Sequence, residues 1–261
     1  MKTMLVLSMG ALLLAGTLSA QTPVPEWQAG VDKMKSLIQT NPAQASEEVG
    51  ELLKGKNKKN VDLVTSVAHV YLDAGKLTEA QEYLAMAKKA NNKDPKVSVL
   101  EGDIALAQKN IGQACQLYEQ AIYFDPNCKE AYLKYAQAYK SASPALAIEK
   151  LEQLKAVDPN CLEADRELAE VYYSSNRFGK AAEMYAKFID TPLATEDDML
   201  KYAFALFLNH DFEKSLQVAQ KGLQKNARHA AFNRLVMYNN TDLKRYEDAE
   251  KAAHAFFNAS D

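Results

Sequence analysis

Residues 95–128 read PKVSVLEGDIALAQKNIGQACQLYEQAIYFDPNC and set the architecture expected for the whole chain. The closing Asp-Pro-Asn-Cys at 125–128 recurs at 158–161, which is 33 residues further on. A repeat period near 34 residues is typical of a solenoid of helix-turn-helix units. The sequence therefore predicts an all-α fold in which helical hairpins stack one after another.

A small residue marks the second helix of each unit. It recurs at steps of 33 or 34 residues, as Ala80, Ala114, Ala147, Ala181, Ser215 and Ala249. Other positions recur three residues before it and four and seven residues after it, as Ile111, Tyr118 and Ala121 do around Ala114. Residues at these spacings share one helical face. Because the small residue lets two helices approach closely and one hairpin cannot bury both its faces, the units are expected to stack.

The first helix of each unit carries a matching pattern. Its small position is occupied by Ala68, Gly102, Ala136, Ala169 and Ala203, and the bulky position three residues later by Tyr71, Tyr139, Tyr172 and Leu206. Prolines end the second helices at Pro126, Pro159 and Pro192, because proline disfavours helix at the residue before it. These recurring positions, from Val61 to the C-terminus, resemble the tetratricopeptide repeat family. The resemblance implies a right-handed superhelical solenoid of stacked helix-turn-helix repeats.

Some positions depart from the family pattern. The fourth position of a unit is large as Tyr132 but is Ser98 and Asp165 in two other units. Ala219 and Ala253 replace the usual aromatic residue in the last two units, so looser packing is expected there. The third unit is also expected to have a turn that is one residue shorter.

The chain divides into three predicted parts. Residues 1–20 form a signal peptide, and residues 21–60 form an N-terminal capping hairpin in which Trp27, Val31, Met34 and Ile38 recur at helical spacing. Trp27 is interpreted as an anchor of this cap. Six tetratricopeptide-like units follow over 61–261, at 61–94, 95–128, 129–161, 162–195, 196–229 and 230–261.

The first 20 residues predict export from the cytoplasm. Lys2 gives a positive start, residues 4–14 are apolar, and residues 18–20 offer small residues for cleavage before Gln21. A membrane anchor, which needs about 20 apolar residues, fits this glycine-containing run poorly. No other segment is predicted to span a membrane. The mature protein is expected in the periplasm, with the extracellular space as the alternative.

Charge and motifs argue against several classes of function. The formal net charge of −3 lacks the basic excess of a nucleic-acid-binding protein, and the basic run KGKNKK at 54–59 is interpreted as a solvated loop. Residues 50–57 resemble a phosphate-binding loop, but Asn57 replaces the Ser or Thr that would hold magnesium. The four histidines lack metal-ligand spacing. No enzyme activity, cofactor or metal is predicted.

Two of the three cysteines, Cys128 and Cys161, are predicted to be unpaired thiols. Cys128 and Cys161 occupy equivalent positions in adjacent units, which should place them about 10 Å apart. A disulfide needs Cα atoms roughly 4.4–6.8 Å apart. Cys115 follows Ala114 and is interpreted as a packing residue.

The family resemblance implies a concave groove lined by the first helix of each unit. Matching positions in the last three units predict a partner-binding site formed by Arg166, Glu170, Tyr173, Leu200, Phe204, Phe207, Arg234 and Tyr238, with Leu208 beside them. Aromatic residues flanked by arginines are typical of protein or peptide contact sites. Alternatively, Phe204 and Phe207 are core residues. The N-terminal half of the groove is more mixed, with Asp62, Thr65, His69, Leu72, Lys96, Val99, Asp103, Leu133, Gln137 and Lys140.

The resemblance points to a non-catalytic scaffold of the bacterial envelope that binds a protein or peptide. The Lys, Asn and Arg clamp that one branch of the family uses for chaperone C-termini is absent from the matching positions. One alternative is a regulatory or oligomerisation segment of a larger envelope or secretion assembly, and a weaker one is a carbohydrate-binding protein. The apolar run at 252–257 predicts a homo-oligomer contact through Phe256 and Phe257.

Overall fold

The computed structural model describes residues 24–260, so the predicted signal peptide lies outside the described part. Within that range the chain forms fourteen α-helices and no strand, which confirms the all-α prediction. The helices are α1 Gln28–Leu37, α2 Pro42–Leu52, α3 Val61–Asp73, α4 Leu77–Asn91, α5 Pro95–Ala107, α6 Ile111–Phe124, α7 Lys129–Tyr139, α8 Pro144–Val157, α9 Leu162–Ser174, α10 Phe178–Phe188, α11 Glu196–Leu208, α12 Phe212–Lys225, α13 Ala230–Asp242 and α14 Tyr246–Ser260. No helix in this range is both long and apolar enough to cross a bilayer.

The helices pack as consecutive hairpins. Each odd-numbered helix packs on the even-numbered helix that follows it, from α1 with α2 to α13 with α14. Odd-numbered helices also contact one another, as α3 does with α5, α7 with α9 and α11 with α13. We call the surface formed by α3, α5, α7, α9, α11 and α13 the odd-helix surface. Stacking of hairpins on their neighbours is the arrangement of a solenoid.

Close helix contacts depend on the small residues that recur in the sequence. Ala80, Ala114, Ala147 and Ala181 are completely buried. Gly102 faces the ring of Tyr118, and a Cβ atom at this glycine would come within 2.5 Å of a ring carbon. Gly222 faces Phe232 in the same way, also at 2.5 Å. Helix pairing at these points therefore requires the absence of a side chain.

The hydrophobic cluster around Ala219 includes an aromatic residue of the next helix. Ala219 is completely buried although it replaces an aromatic residue. Phe232 of α13 is itself completely buried and packs in the same hydrophobic cluster.

A residue with left-handed backbone closes most of the turns within hairpins. These residues are Gly75, Lys109, Asn176, His210 and Lys244, with φ between 57° and 73°. The turn between α7 and α8 has no residue with positive φ. Pro144 begins α8 there. The turn spans 140–143, one residue more than the turn in each of the other five units, so the shorter turn expected in the third unit is wrong. The unit is shorter because α7 has 11 residues, whereas α3, α5, α9, α11 and α13 each have 13.

The basic run at 54–59 is more ordered than predicted. Gly55–Lys59 forms a 3-10 helix rather than a loop. Gly55 has a φ of 61°, which glycine adopts without strain, and the Asn57 side chain donates a hydrogen bond of 2.9 Å to the Leu52 carbonyl oxygen. These local contacts, which involve no apolar periodicity, explain why the sequence pattern indicated a loop.

Candidate functional site

Polar contacts link successive helices along the odd-helix surface. Their partners are separated by 30 to 34 residues, or about one repeat: Lys96–Asp62, His69–Asp103, Lys134–Asp103, Lys129–Glu163, Gln137–Glu167, Lys201–Glu170, Arg166–Asp198 and His229–Glu196. Each contact joins one odd-numbered helix, or its N-cap, to the next. We call this series the ion-pair ladder, although its Gln137–Glu167 member is a hydrogen bond of a neutral amide.

Asp103 is the most connected member of the ladder. Its buried carboxylate accepts hydrogen bonds from Tyr118 Oη at 2.7 Å, Lys134 Nζ at 2.8 Å and His69 Nε2 at 3.0 Å. Burial by itself would raise the pKa of Asp103, but the hydrogen bond from His69 and the charge of Lys134 outweigh it and hold the pKa below its ordinary value. The ionised carboxylate of Asp103 therefore links α3, α6 and α7 to α5.

His69 lies between two acceptors. Its Nδ1 is 2.9 Å from the Thr65 carbonyl oxygen, and its Nε2 is 3.0 Å from Asp103 Oδ2. Both partners are hydrogen-bond acceptors, so the ring holds α3 against α5 by donating an N–H group. His69 also lines a cavity of about 370 Å³, together with Pro25, Trp27, Asp62, Thr65, Ser66, Lys96 and Glu130.

Asp198 anchors the start of α11. It forms a capping box with Thr195, whose N–H lies 2.8 Å from Asp198 Oδ2. Arg166 of α9 donates to the same carboxylate through two nitrogens, each at 3.0 Å. Burial opposes the ionisation of Asp198, but the Thr195 hydroxyl and N–H and the Arg166 guanidinium hold its pKa below the ordinary value. Arg166 is therefore engaged inside the protein.

Glu170 is engaged in a similar way. It accepts a hydrogen bond of 2.7 Å from Tyr185 Oη and an ion pair of 2.9 Å from Lys201 Nζ. Burial and the neighbouring Glu170 raise the pKa of Tyr185, so its hydroxyl stays a donor. Lys201 also pairs with Asp197 at 2.8 Å. The Glu170 carboxylate of α9 and the Lys201 ammonium group of α11 thus neutralise each other.

Four side chains at the C-terminal end of the odd-helix surface form a different kind of group. The guanidinium carbon of Arg234 lies 5.9 Å from the ring centre of Phe204, and the rings of Phe207 and Tyr238 lie 6.0 Å apart. Phe204 and Phe207 are partly buried against the hydrophobic core, whereas 40% of the Tyr238 surface is exposed. We call these four residues the arginine–aromatic patch. The two phenylalanines are thus partly core and partly surface.

The eight predicted site residues fall into three sets. Phe204, Phe207, Arg234 and Tyr238 lie together in the patch, and Leu200 packs on the same hydrophobic cluster as the phenylalanines. Tyr173 packs edge-on against Phe178, with ring centres 5.7 Å apart. Arg166 and Glu170 belong to the ion-pair ladder. A single continuous role for all eight residues remains a prediction.

The Asp103 cluster was missed by sequence reasoning. His69 and Asp103 were noted as groove positions, but no link between them was predicted. A signal was present, because opposite charges stand one period apart in the sequence, as Asp62 and Lys96 do at 34 residues. Tyr118 and Lys134 gave no such signal, since their contact with Asp103 depends on how neighbouring helices cross.

The three cysteines are unpaired thiols in the structure. Burial raises the pKa of Cys115 to about 11 and also raises the pKa of Cys128 and Cys161. Since the thiolate is the reactive form of cysteine, these groups are weak nucleophiles at neutral pH. Between residues 24 and 260 no cluster of three or more His, Cys, Asp or Glu side chains is arranged to hold a metal ion.

Helical hairpins that pack on their neighbours, with one helix of each hairpin forming a shared surface, define a helical-repeat solenoid protein. The tetratricopeptide repeat family model matches residues 68–131 and 137–194. These two stretches are tetratricopeptide repeats, as the recurring residues of the sequence predicted. No protein of curated function matches it.

Solved structures share this fold at low sequence identity. The C-terminal part of a TPR repeat-containing protein from Cytophaga hutchinsonii has a TM-score of 0.66 at 18% identity, over 88% of this chain and 95% of that one. PilW, described as a widely conserved type IV pilus biogenesis factor, has a TM-score of 0.60 at 17% identity, over 77% and 94% of the two chains. YrrB, described as a TPR protein with an unusual peptide-binding site, has a TM-score of 0.52 at 14% identity, over 70% and 94%. These similarities concern the fold alone.

Proposed function

We propose that this protein is a non-catalytic scaffold of the bacterial envelope that binds a protein or peptide segment on its odd-helix surface. One observation carries the proposal: the arginine–aromatic patch combines aromatic rings with an arginine that has no carboxylate partner among residues 24–260. Aromatic residues and arginine are enriched at protein contact sites, whereas surface charges that pair with each other offer little to a partner. YrrB, which shares the fold, is described as having a peptide-binding site, and this is in line with a partner-binding role.

Export is the part of the proposal that rests on residues 1–20. A signal peptide would place the mature protein in the periplasm, where envelope assemblies form. Mass spectrometry of the protein from periplasmic and cytoplasmic fractions of its own cells should find a periplasmic form that begins near Gln21. A mature product that still carries residues 1–20 would contradict export.

Site-specific photo-crosslinking tests the binding surface. A benzoylphenylalanine in place of Tyr238 should crosslink to one partner in living cells, because Tyr238 lies in the patch. The same substitution at Tyr123 is the matched control, since 83% of this tyrosine is exposed but it lies on α6, an even-numbered helix. Phe207→Ala should lower the crosslinking yield at position 238 while leaving the melting temperature close to that of the parent. Equal yields at positions 238 and 123 would refute the assignment of this surface.

A carbohydrate ligand is the second candidate, and the cavity beside Trp27 favours it. Sugar rings stack on tryptophan, and the other lining groups Asp62, Ser66, His69 and Lys96 offer hydrogen bonds. Trp27 is the only tryptophan of the chain, so tryptophan emission reports on its surroundings, which include this cavity. Titration with soluble peptidoglycan fragments should shift the emission if the cavity holds a sugar. An unchanged spectrum at millimolar concentrations would eliminate this candidate.

Self-association through α14 is a further part of the proposal. Phe257 exposes 64% of its surface, and exposed aromatic side chains favour association. Sedimentation velocity over a range of concentrations should show a dimer that Phe257→Ser weakens. A parent protein that stays monomeric throughout would contradict it.

A further inference from the structure

Most basic side chains of the odd-helix surface are already neutralised. Lys96, Lys129, Lys134, Arg166 and Lys201 each lie within 3.0 Å of a carboxylate of a neighbouring odd-numbered helix. Such pairs satisfy the hydrogen-bonding groups of both partners. A ligand that approached this part of the surface would have to compete with contacts within the protein.

Arg234 on α13 is in a different position. Its side chain forms neither an ion pair nor a hydrogen bond with any residue between 24 and 260, and its Nε is buried without an acceptor. Its main neighbour is the face of Phe204, 5.9 Å from the guanidinium carbon. The three acidic residues at the start of α11 are engaged elsewhere: Glu196 lies 3.3 Å from His229, Asp197 pairs with Lys201 and Asp198 pairs with Arg166. The guanidinium therefore has positive charge and donors with no internal partner.

A partly buried guanidinium of this kind favours an anionic ligand. A buried donor without an acceptor costs free energy, and a charged one costs more. The aromatic face beneath the guanidinium attracts its charge but accepts no directed N–H bonds from its edge. A carboxylate supplies both the charge and two parallel acceptors for the planar fork. A backbone carbonyl supplies an acceptor but no compensating charge.

The spacing of the patch indicates what should lie beside that carboxylate. Arg234 and Tyr238 are one helical turn apart, a rise of about 6 Å. Phe204 lies next to Arg234, and Phe207 next to Tyr238. In an extended peptide, residues i and i+2 point the same way and are about 6.7 Å apart. An acidic side chain on Arg234 thus places the side chain two residues away over the Phe207–Tyr238 rings.

We propose, building on the proposed function, that the partner presents an extended acid-x-apolar segment, with Asp or Glu on Arg234 and an aromatic or large aliphatic side chain on Phe207 and Tyr238. Arg234 selects the acidic residue, and the two rings select the apolar one. The ligand of this surface is therefore a peptide motif of defined charge and spacing. An acidic surface or an apolar segment without the acid does not satisfy both halves of the patch.

Three synthetic peptides test this inference directly. The probe is acetyl-GSESFSG-amide, and its matched controls are acetyl-GSQSFSG-amide, which lacks the charge, and acetyl-GSEFSSG-amide, which changes the spacing. NMR titration that follows the side-chain Nε–H signal of Arg234 should show the probe binding at least about tenfold more tightly than either control. The preference over the glutamine peptide should weaken as salt is added, because it depends on charge.

Two arginine variants complete the test. Arg234→Met keeps the apolar stem and should remove the preference for glutamate over glutamine. Arg228→Met removes an exposed arginine that precedes α13 and should leave the preference unchanged. Equal affinity for the first two peptides, no binding of the probe at millimolar concentration, or equal loss in both variants would overturn the inference. In that case, crosslinking of a partner at position 238 in living cells would show that the binding surface is correctly assigned and that only the peptide motif is wrong.

Discussion

At the scale of single residues, the glycines of the helix interfaces show how the sequence controls packing. Gly102 and Gly222 each face an aromatic ring that occupies the place of a missing side chain. Both rings, of Tyr118 and Phe232, are completely buried. The ring and the glycine are therefore a matched pair, and each constrains the other.

Replacing these glycines by alanine should destabilise the protein. A Cβ at 2.5 Å from a ring carbon forces the ring or the backbone to move, and overpacking of this kind costs typically 1–3 kcal/mol. Gly50 of α2 is the control, because a Cβ there would meet nothing within 4 Å. Gly50→Ala should stabilise by roughly 0.5–1 kcal/mol, since alanine favours the helix. Urea denaturation measures all three variants, and Gly102→Ala at parental stability would show that the ring moves freely.

Asp103 is a residue whose role the sequence pattern did not reveal. Its position in the repeat predicts a groove residue, whereas its contacts make it a buried hub for His69, Tyr118 and Lys134. Asp165 shows the same limitation, because it stands where a large residue was expected and is held by Lys155 at 2.7 Å. Which side chains contact each other across two helices depends on their rotamers and on the angle at which the helices cross. The periodicity of the sequence contains neither.

Asp103→Asn should cost about 1–3 kcal/mol at neutral pH, because the hub loses its charge. The pKa of Asp103 is lowered in the folded protein, so its contribution is complete above the ordinary carboxyl pKa near 3.9 and is lost as the pH falls through the folded value. The deficit of the variant should therefore shrink between pH 5 and the acid limit of the fold. Urea denaturation across this pH range measures the deficit. Asp62→Asn is the control, because Asp62 forms an exposed ion pair with Lys96 and its replacement should change the stability little. A deficit that grows on acidification would contradict the charged state.

At the scale of elements, the helices were largely predictable and their turns only in part. The periodic apolar positions and the prolines mark helices such as α5 and α6 correctly, because one buried face repeats every three or four residues. Gly75 is a readable turn signal, but Lys109 and Lys244 adopt the same left-handed backbone without being glycine. The stacking of the hairpins imposes this conformation against the local preference of lysine.

Lys109→Gly and Lys244→Gly should stabilise the protein. A left-handed conformation costs an L-residue roughly 1–2 kcal/mol, and glycine removes this cost while losing part of the gain to greater freedom in the unfolded chain. The expected net gain is about 0.5–1 kcal/mol for each substitution. Gly75→Ala is the mirror experiment, with an expected loss of similar size, because its φ is 73°. Thermal and urea unfolding measure both, and a destabilised Lys109→Gly would mean that the lysine side chain itself supports the turn.

At the scale of the whole molecule, the sequence predicted the solenoid well and its binding surface less well. The repeat period fixes which helices become neighbours, since each hairpin stacks on the next. The surface depends on which charges find partners. Arg166 and Arg234 had the same predicted role, yet Asp198 holds the first and no carboxylate in 24–260 holds the second. That difference arises from the order of acids and bases on adjacent helices.

The solenoid fold also predicts how far the loss of stability caused by a core substitution extends along the repeats. Leu235 on α13 is completely buried in the cluster shared by α11 to α14, and Leu63 on α3 is completely buried in the N-terminal cluster. Leu→Ala at such sites costs about 2–5 kcal/mol. Because stability in stacked repeats is close to a sum of local and nearest-neighbour contributions, Leu235→Ala should speed amide hydrogen exchange in α11–α14 and leave α3–α6 near parental protection. Leu63→Ala should produce the opposite gradient. Hydrogen-exchange mass spectrometry resolves the two regions, and a uniform loss of protection in both variants would show instead that all the repeats unfold as one cooperative unit.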